Sequence, residues 1–336
     1  MADIIWGDRD KRGEWQPEPL PEPSPLFQWP IRIVKVIKYF FAPQGFLWPI
    51  NSFVALVSIG VWYFFTPDLE KSVTFAFGWM AQLYLRNIAL LIIVAGGLHL
   101  RQYSSRRQGL KFKYTDKWLA KDDKKFLFKN QTYDNIFWNL SSGAIIWTAW
   151  EALTLWMYAN ETIPSITFQS RPVYFILLMV AVVYLRQFHF YWVHRFIHWK
   201  PMYKVCHYLH HKNINIGPWS GLTMHPVEHL LYFSGVIFHW IIPSHPIHII
   251  FHLMHAGITP AIGHVGFHEL VGKRDKGLKT DFYFHYLHHR FFTVNFGDEA
   301  LPLDKWFGSH HDGTPESQAA MMAKRRGGEP TEDSVE

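Results

Sequence analysis

Cysteine is almost absent from this 336-residue chain, and charged side chains are scarce. The single cysteine, Cys206, excludes an internal disulfide, a cysteine-ligated zinc site and an iron–sulfur cluster held by this chain alone. No Gly-x-Gly-x-x-Gly pattern follows a predicted strand, so no dinucleotide-binding fold is indicated. Charged residues make up 18% of the chain, below the roughly 25% of a soluble domain. The sequence therefore has no recognisable electron-carrying module and is too poor in charge for an ordinary soluble domain.

Apolar and aromatic residues are abundant instead. Hydrophobic residues reach 49% and aromatic residues 18%, including 16 tryptophans, which are enriched where a bilayer meets water. Four apolar segments approach the length that crosses a bilayer. They cover residues 47–65, 79–100, 143–159 and 173–193. Residues 31–41 place lysines among aliphatic side chains at helical spacing, as in a helix that lies along a membrane surface. The chain is predicted to be all-α, an integral membrane bundle of about four spanning helices.

Positive charges are unevenly distributed between the predicted loops. Residues 101–130 contain ten Lys or Arg side chains and three Asp, whereas the loops 66–78 and 160–172 contain one basic residue each. Because basic loops stay on the cytoplasmic side, the N-terminus, this loop and everything after the fourth span are predicted to be cytoplasmic. A basic loop beside a span meets anionic lipid headgroups first, so no nucleic-acid partner is predicted.

These features divide the chain into four regions. Residues 1–30 contain six prolines and little apolar pattern, which predicts a disordered arm. An N-terminal membrane region covers 31–172 and includes a basic cytoplasmic loop at 101–135. The histidine-rich region 173–314 is predicted to end in a helical cap on the cytoplasmic side, and 315–336 to be a disordered tail.

Two further apolar segments, 230–242 and 245–258, are too short to cross a bilayer. Pro243, Ser244 and Pro246 break the apolar run, and both segments are too apolar to remain in water. They are predicted to form a hairpin that lies in the membrane interface or against the other helices, covers the site formed by the histidines and lines the path from the bilayer to it.

Histidine is concentrated in one part of the chain, because 20 of the 21 copies lie between residues 189 and 311. Many are four residues apart, a spacing that puts two side chains on one face of a helix. The pairs are His194/His198, His207/His211, His264/His268 and His285/His289, with His210 and His288 each one position before the end of a pair. The block HYLHH occurs twice, at 207–211 and 285–289. Since one metal ion takes about three to six ligands, these ten histidines suffice for two ions.

HRFIH, the two HYLHH blocks and the later VNFG and PLDKWFG together resemble the fatty acid hydroxylase/sterol desaturase superfamily of membrane enzymes. The resemblance covers residues 175–314 and makes 173–314 the catalytic domain. It implies a non-haem centre of two iron ions at the cytoplasmic mouth of a helical bundle, with zinc able to substitute in a purified sample. The ligands that it implies are His194, His198, His207, His210, His211, His264, His285, His288 and His289. The spacing from His264 adds His268.

Five other residues are predicted either to bind metal or to orient the residues that do. His225 and Glu228, in MHPVEH, resemble the family's His-Pro-x-Glu element, and His229 ends the same segment. His255 opens HAGITP, a segment near the centre in related sequences. His189 lies five residues before His194, off that helical face, so an orienting role is expected. Carboxylates such as Glu228 commonly hold a ligand imidazole.

The resemblance implies hydroxylation of a C–H bond in a fatty acyl lipid, a sterol or an isoprenoid, using dioxygen. Desaturation by the same centre is the alternative. The substrate is expected to enter from the bilayer, and electrons to come from a separate ferredoxin- or cytochrome-type protein with its reductase. A zinc-dependent lipid hydrolase remains open, although it needs only three ligands and a carboxylate base. A metal-handling membrane protein also remains open, but it predicts histidines inside the spans, and only His99 lies in the first three.

Overall fold

The computed structural model describes residues 7–22, 24–272, 277–280, 282–298 and 300–326, which form a mostly helical membrane protein. In chain order the α-helices are α1 (Ile33–Phe41), α2 (Ser52–Phe65), α3 (Phe77–Leu91), α4 (Gly97–His99), α5 (Gln131–Trp138), α6 (Ala144–Ala159), α7 (Pro172–Ile197), α8 (Lys200–Met202), α9 (Tyr208–His211), α10 (Pro226–Phe233), α11 (Phe238–Ile241), α12 (Pro246–Gly263), α13 (Tyr283–Phe291), α14 (Leu303–Trp306) and α15 (Pro315–Arg326). The strands β1 (Glu269–Val271) and β2 (Gly277–Lys279) pair antiparallel. Short 3-10 turns lie at Pro25–Phe27, Leu69–Ser72, Leu127–Lys129, Pro218–Leu222 and Ser234–Ile237.

Within the described residues, three helices are long and apolar enough to cross a membrane. They are Leu47–Phe65, which includes α2, Phe77–Ser104, which joins α3 to α4 through π-helical turns, and α7. These helices correspond to three of the four predicted spans. The third predicted span is helical as α6, but it is not among these three helices. Its buried Glu151 forms an ion pair with Arg86 of α3, so this helix carries a charge inside the bundle. A total of four spans therefore stays a prediction.

Helix α12 lies at the centre of the bundle. Of its 18 residues, 17 are buried. It packs against α2, α6, α7 and the turn Pro218–Leu222. Gly257 allows the close approach of α6, because a Cβ atom at this position would lie 2.3 Å from the ring of Trp147. The second arm of the predicted hairpin thus lies against the other helices and not along the membrane interface.

The basic loop that follows α4 is folded onto the histidine-rich half of the chain. The side-chain amide of Asn215 donates to the carbonyl oxygen of Trp118 in this loop at 2.8 Å. The Lys212 ammonium donates to the Asp134 carboxylate at 2.8 Å, and both side chains are buried. The loop and the second histidine block therefore lie on the same side of the bundle.

Part of the proline-rich arm is held against the histidine-rich half. The Trp15 N–H donates to the Tyr114 carbonyl at 2.8 Å, and the two rings stack. The Glu14 carboxylate accepts a hydrogen bond from the Tyr286 hydroxyl and pairs with Arg290, both on α13. The composition predicted disorder for the whole arm, but this part of the arm is folded against the rest of the protein. The composition of a segment does not show whether the segment contacts residues about 100 or more positions away in the chain.

The predicted disordered tail begins as a helix. Helix α15 has an acidic residue in its first turn and three basic residues in its last turn, which complements the helix dipole. Arg325 on this helix donates to the Phe291 carbonyl at the end of α13. The first part of the tail is therefore folded, and residues 327–336 lie outside the described residues.

Candidate metal centre

Helix α7 carries the first histidine pair out of the apolar part of the bundle. His194 lies in its last turn, and His198 follows directly after the helix ends. The His198 N–H still donates to the His194 carbonyl at 3.2 Å, so the helical geometry continues through the pair. Both imidazoles therefore project in the same direction, with ring centres 5.0 Å apart.

Five imidazoles form the first cluster: His194, His198, His207, His211 and His288. Their facing nitrogens lie within 4.8 Å of one another. The Nε2 atom of His198 is 3.0 Å from Nε2 of His207 and 3.1 Å from Nε2 of both His211 and His288. One N–H group cannot donate to three nitrogens at once. Most of these nitrogens therefore point their lone pairs toward each other. Lone pairs arranged in this way fit around a cation.

Four imidazoles form the second cluster: His210, His264, His285 and His289. The Nε2 atom of His264 lies 3.0 Å from Nε2 of both His285 and His289. The two clusters are neighbours, because the ring centres of His211 and His289 are only 4.9 Å apart.

The two HYLHH blocks contribute to both clusters in opposite proportions. In each block the outer histidines, four residues apart, belong to one cluster and the middle histidine belongs to the other. The outer pair of the first block joins the first cluster, and that of the second block joins the second cluster. Adjacent helical positions differ by about 100° around the axis, which turns the middle histidine away from its neighbour. Each block therefore links the two clusters.

Oxygen atoms hold the outward-facing nitrogen of most cluster histidines. The partners are the Glu228 carboxylate for His207 (2.7 Å), the carbonyl of Phe296 for His194 (2.6 Å), that of Val294 for His288 (2.6 Å), that of Pro260 for His264 (2.9 Å) and that of Thr223 for His210 (3.3 Å). An Nδ1–H that donates to oxygen fixes the tautomer and leaves Nε2 unprotonated. The side of each ring that faces the cluster is thus prepared to bind a metal ion.

The VNFG motif supplies two of these carbonyl groups, and Asp304 of the PLDKWFG motif holds VNFG in place. The Asp304 carboxylate accepts hydrogen bonds from the N–H groups of Phe296 and Gly297, at 2.8 and 2.7 Å, and from the Ser309 hydroxyl at 2.6 Å. The loop that supplies the carbonyls for His194 and His288 is fixed in this way to α14. Asp304 thus acts on the imidazoles through the backbone and not by direct contact.

Burial keeps these imidazoles neutral. It lowers the pKa of His264 to about 4. Burial, followed by neighbouring imidazoles, lowers the pKa of His207, His211 and His288 well below the usual 6.5. Neutral imidazole is the form that binds metal ions.

A cavity of about 30 Å³ opens beside the clusters. Phe190, Val193 and Met224 give it an apolar wall. At its rim Arg186 donates to Asp298 at 3.1 Å and to the Tyr232 hydroxyl at 3.2 Å. These three polar residues were not among the predicted site residues. The available signal was a charged residue inside an apolar span, which commonly marks a functional site.

His268, predicted as a ligand, lies outside both clusters. Helix α12 ends at Gly263, and Gly266 has a φ of +78°, so the chain turns sharply after His264. Four-residue spacing places two side chains together only within a helix. The imidazole of His268 instead packs against the ring of Trp15, with centres 5.9 Å apart.

Five residues were predicted to bind metal or to orient the metal ligands. Within the described part of the chain, Glu228 is the one that contacts a cluster histidine. The four histidines are engaged elsewhere. His225 accepts from the N–H of Val227 at the start of α10 (3.2 Å), His229 contacts the carbonyl of Leu222 (3.1 Å), His255 contacts Asn51 (2.7 Å) and His189 contacts Ser234 (3.0 Å).

The part of the chain that builds this centre also matches a known family. Residues 179–309 match the sequence profile of the fatty acid hydroxylase family. This segment belongs to the fatty acid hydroxylase/sterol desaturase superfamily. The family predicted from the histidine motifs is thus confirmed, and all nine cluster histidines lie in the fatty acid hydroxylase segment.

Curated relatives match part of this chain. A Delta(7)-sterol 5(6)-desaturase of Gibberella zeae is 31% identical over 129 residues, which are 38% of this chain and 39% of the relative. A Delta(7)-sterol-C5(6)-desaturase of Nicotiana tabacum is 28% identical over 49% of this chain and 60% of its own length. The chain thus spans less than two thirds of the length of either relative. No solved structure matches the chain.

Proposed function

We propose that the protein is a membrane-bound non-haem di-iron oxygenase that hydroxylates a C–H bond of a lipid-like substrate. One observation carries this proposal: nine imidazoles, eight of them buried, converge in two adjacent clusters at the end of an apolar helix. A zinc hydrolase needs three ligands and an open position, whereas these clusters offer five and four imidazoles.

The residues fit a pair of metal ions. Imidazole suits iron, zinc, copper and nickel, and the superfamily to which residues 179–309 belong favours iron. The nine cluster histidines would be the ligands, five for one ion and four for the other. When bound, two iron ions supply the activation of dioxygen for attack on an unactivated C–H bond.

Residues of this chain orient the ligand imidazoles and shield the site from water. Glu228 and the carbonyls of Val294 and Phe296 keep Nε2 of their histidine partners free of protons. The apolar wall, with Phe190 and Met224, excludes bulk water from the small cavity. A hydrocarbon that leaves the bilayer beside α7 would reach the clusters without crossing water.

Desaturation is the second candidate reaction, and the relatives favour it, because both are named sterol desaturases. Either reaction requires electrons from another protein. A ferredoxin- or cytochrome-type donor with its reductase is proposed, since the sequence has no cysteine cluster. The site is proposed to face the cytoplasm, because the basic loop is packed beside the second histidine block.

The test combines metal analysis with oxygen isotopes. We expect purified protein to contain two iron ions per chain and to consume dioxygen only with a reduced donor and a lipid extract. With ¹⁸O₂, hydroxylation transfers label to the lipid, whereas desaturation produces an unlabelled double bond. Turnover without dioxygen and without a donor would contradict both reactions and favour hydrolysis.

A further inference from the structure

The two histidine clusters differ in how firmly the surrounding protein holds their imidazoles. In the first cluster, the Nδ1–H groups of His194, His207 and His288 donate to oxygen atoms at 2.6, 2.7 and 2.6 Å. Two of the acceptors are carbonyls of the VNFG motif, which Asp304 holds in place. Such hydrogen bonds fix the orientation of a ligand imidazole and raise the basicity of the nitrogen that faces the metal.

The hydrogen bonds behind the second cluster are longer. The Nδ1 atom of His264 lies 2.9 Å from the Pro260 carbonyl oxygen, and the same oxygen accepts from the backbone N–H of His264 at 2.9 Å. The Nδ1 atom of His210 lies 3.3 Å from the carbonyl oxygen of Thr223. A longer or shared hydrogen bond polarises the ring less, so these two imidazoles are weaker ligands than their counterparts in the first cluster.

The other two imidazoles of the second cluster have no support from behind. The Nδ1 atoms of His285 and His289 are buried and have no hydrogen-bond partner among the described residues. The same is true of His211 in the first cluster. Half of the second cluster therefore consists of imidazoles that no oxygen atom of the described chain orients.

Charge also distinguishes the clusters. The buried carboxylate of Glu228 lies 2.7 Å from His207 of the first cluster. Within the part of the chain that the structure describes, no carboxylate contacts an imidazole of the second cluster. The Asp298 carboxylate beside the small cavity is neutralised by Arg186. Because a buried cation is stabilised by a nearby negative charge, the first cluster is the better place for a divalent ion.

We infer that the two clusters bind metal ions with unequal affinity, and that the first cluster fills first and binds its ion at least about tenfold more tightly. The first cluster also offers five imidazoles, and the second offers four. At limiting metal each chain then holds one ion, in the first cluster. This inference rests on the two-metal centre of the proposed function and adds the order in which that centre is filled.

Titration of the metal-free protein with Co²⁺ tests this order without turnover. Co²⁺ takes imidazole ligands as Fe²⁺ does, and its visible absorption reports binding. We expect two steps, with midpoints in free Co²⁺ that differ by about tenfold or more. Uptake of both ions in a single step would overturn the inference. Repulsion between two neighbouring cations also separates the steps, so variants have to show which cluster fills first.

His194→Ala and His264→Ala form a matched pair. Each removes one buried imidazole whose Nδ1 is held by a backbone carbonyl, from the first and the second cluster respectively. His264→Ala should keep the tight step at its original midpoint and weaken the other step. His194→Ala should shift the tight step to at least about tenfold higher free Co²⁺. The reverse pattern, or an equal shift of the tight step in both variants, would overturn the inference.

A milder substitution covers the case in which either alanine variant does not fold. Glu228→Gln retains all nine imidazoles and weakens the support of His207 alone. It should bring the two midpoints closer together, because it lowers the affinity of the first cluster. Midpoints that move further apart in this variant would overturn the inference.

Failure of this inference is distinguishable from failure of the proposed function. Oxygen-dependent turnover of a lipid by a protein that takes up both ions in one step would overturn only the inference. Two Co²⁺ steps in the expected order, in a protein that does not consume dioxygen with any lipid and reduced donor, would contradict only the proposed function.

Discussion

Glu228 is a buried carboxylate that accepts a hydrogen bond from His207 at 2.7 Å. In Glu228→Gln the side-chain amide either cannot accept this hydrogen bond as strongly or presents its NH₂ group to the imidazole. Metal affinity should fall by about 10- to 100-fold, the usual effect of losing such a partner. Equilibrium dialysis against buffered Fe²⁺ measures this change. The exposed Glu70→Gln serves as the control, and equal affinity of the two variants would contradict the assigned role.

His288 and His268 make a second pair of test and control. His288 lies in the first cluster, whereas His268 packs against Trp15 outside both clusters. His288→Ala should lower the iron content of the purified protein and abolish oxygen consumption. His268→Ala should keep the full iron content, as measured by mass spectrometry. Loss of iron in His268→Ala alone would reverse our correction of the sequence-based prediction.

At the scale of single residues, the spacing of histidines was a good predictor inside helices and a poor one outside them. It brought His194 and His198 together correctly, because the geometry of α7 continues through both. It failed for His268, because the helix ends before His264. The division of each HYLHH block between two clusters was not predictable, since it depends on what faces each side of the helix.

Helix α13 carries three cluster histidines and contacts the N-terminal arm on its outer side. The arm contributes Glu14, which accepts from Tyr286 and pairs with Arg290, and Trp15, which stacks on Tyr114. Removing residues 1–16 should therefore lower the thermal unfolding midpoint by about 4 °C or more. Scanning fluorimetry in detergent measures this shift. Removing only residues 1–6 is the control, and an equal midpoint for both truncations would restore the prediction of a disordered arm.

At the scale of elements, the length of an apolar segment predicted that it forms a helix better than it predicted which residues pack around that helix. The length of the apolar segment 143–159 predicts a membrane span, and the segment forms helix α6. Its Glu151 is buried and paired with Arg86 of α3, so the charge in this segment is compensated inside the bundle. A single sequence does not show which distant residue neutralises a buried charge.

Membrane topology can be tested on the whole molecule, because Cys206 is buried and gives a low background. Single cysteines would be introduced at the exposed positions Lys125, Lys305 and Ser170. Lys125→Cys and Lys305→Cys should react with an impermeant maleimide from the same side of the membrane, since the basic loop is packed on the histidine-rich half. Ser170→Cys should react only from the other side. Labelling of Lys125→Cys and Lys305→Cys from opposite sides would contradict the topology.

The stability of the metal-free protein should depend on pH in a defined range. Burial lowers the pKa of His264 to about 4 and that of His207 well below 6.5, so the folded protein holds both imidazoles neutral. Unfolding allows them to protonate below pH 6.5, the usual value for histidine. Stability should thus be highest above this pH and decrease as the pH falls, by up to about 1.4 kcal/mol per pH unit for each histidine.

Thermal unfolding in detergent between pH 8 and pH 5 checks this dependence. Protein loaded with metal should retain a higher midpoint throughout, because a bound ion stabilises the folded state by mass action. A midpoint of the metal-free protein that stays constant or rises on acidification would contradict the burial of neutral imidazoles.

The central position of α12 has a consequence for how the protein is made. A helix with 17 of its 18 residues buried has no face to offer to lipid and carries the polar side chains of His248, His252 and His255 into the bundle. The helices that it packs against most extensively, α2, α6 and α7, precede it in the chain, so all three have been synthesised before it emerges from the ribosome. We therefore expect biogenesis in two stages, in which the outer helices first settle in the bilayer and α12 then enters a site that they have already formed.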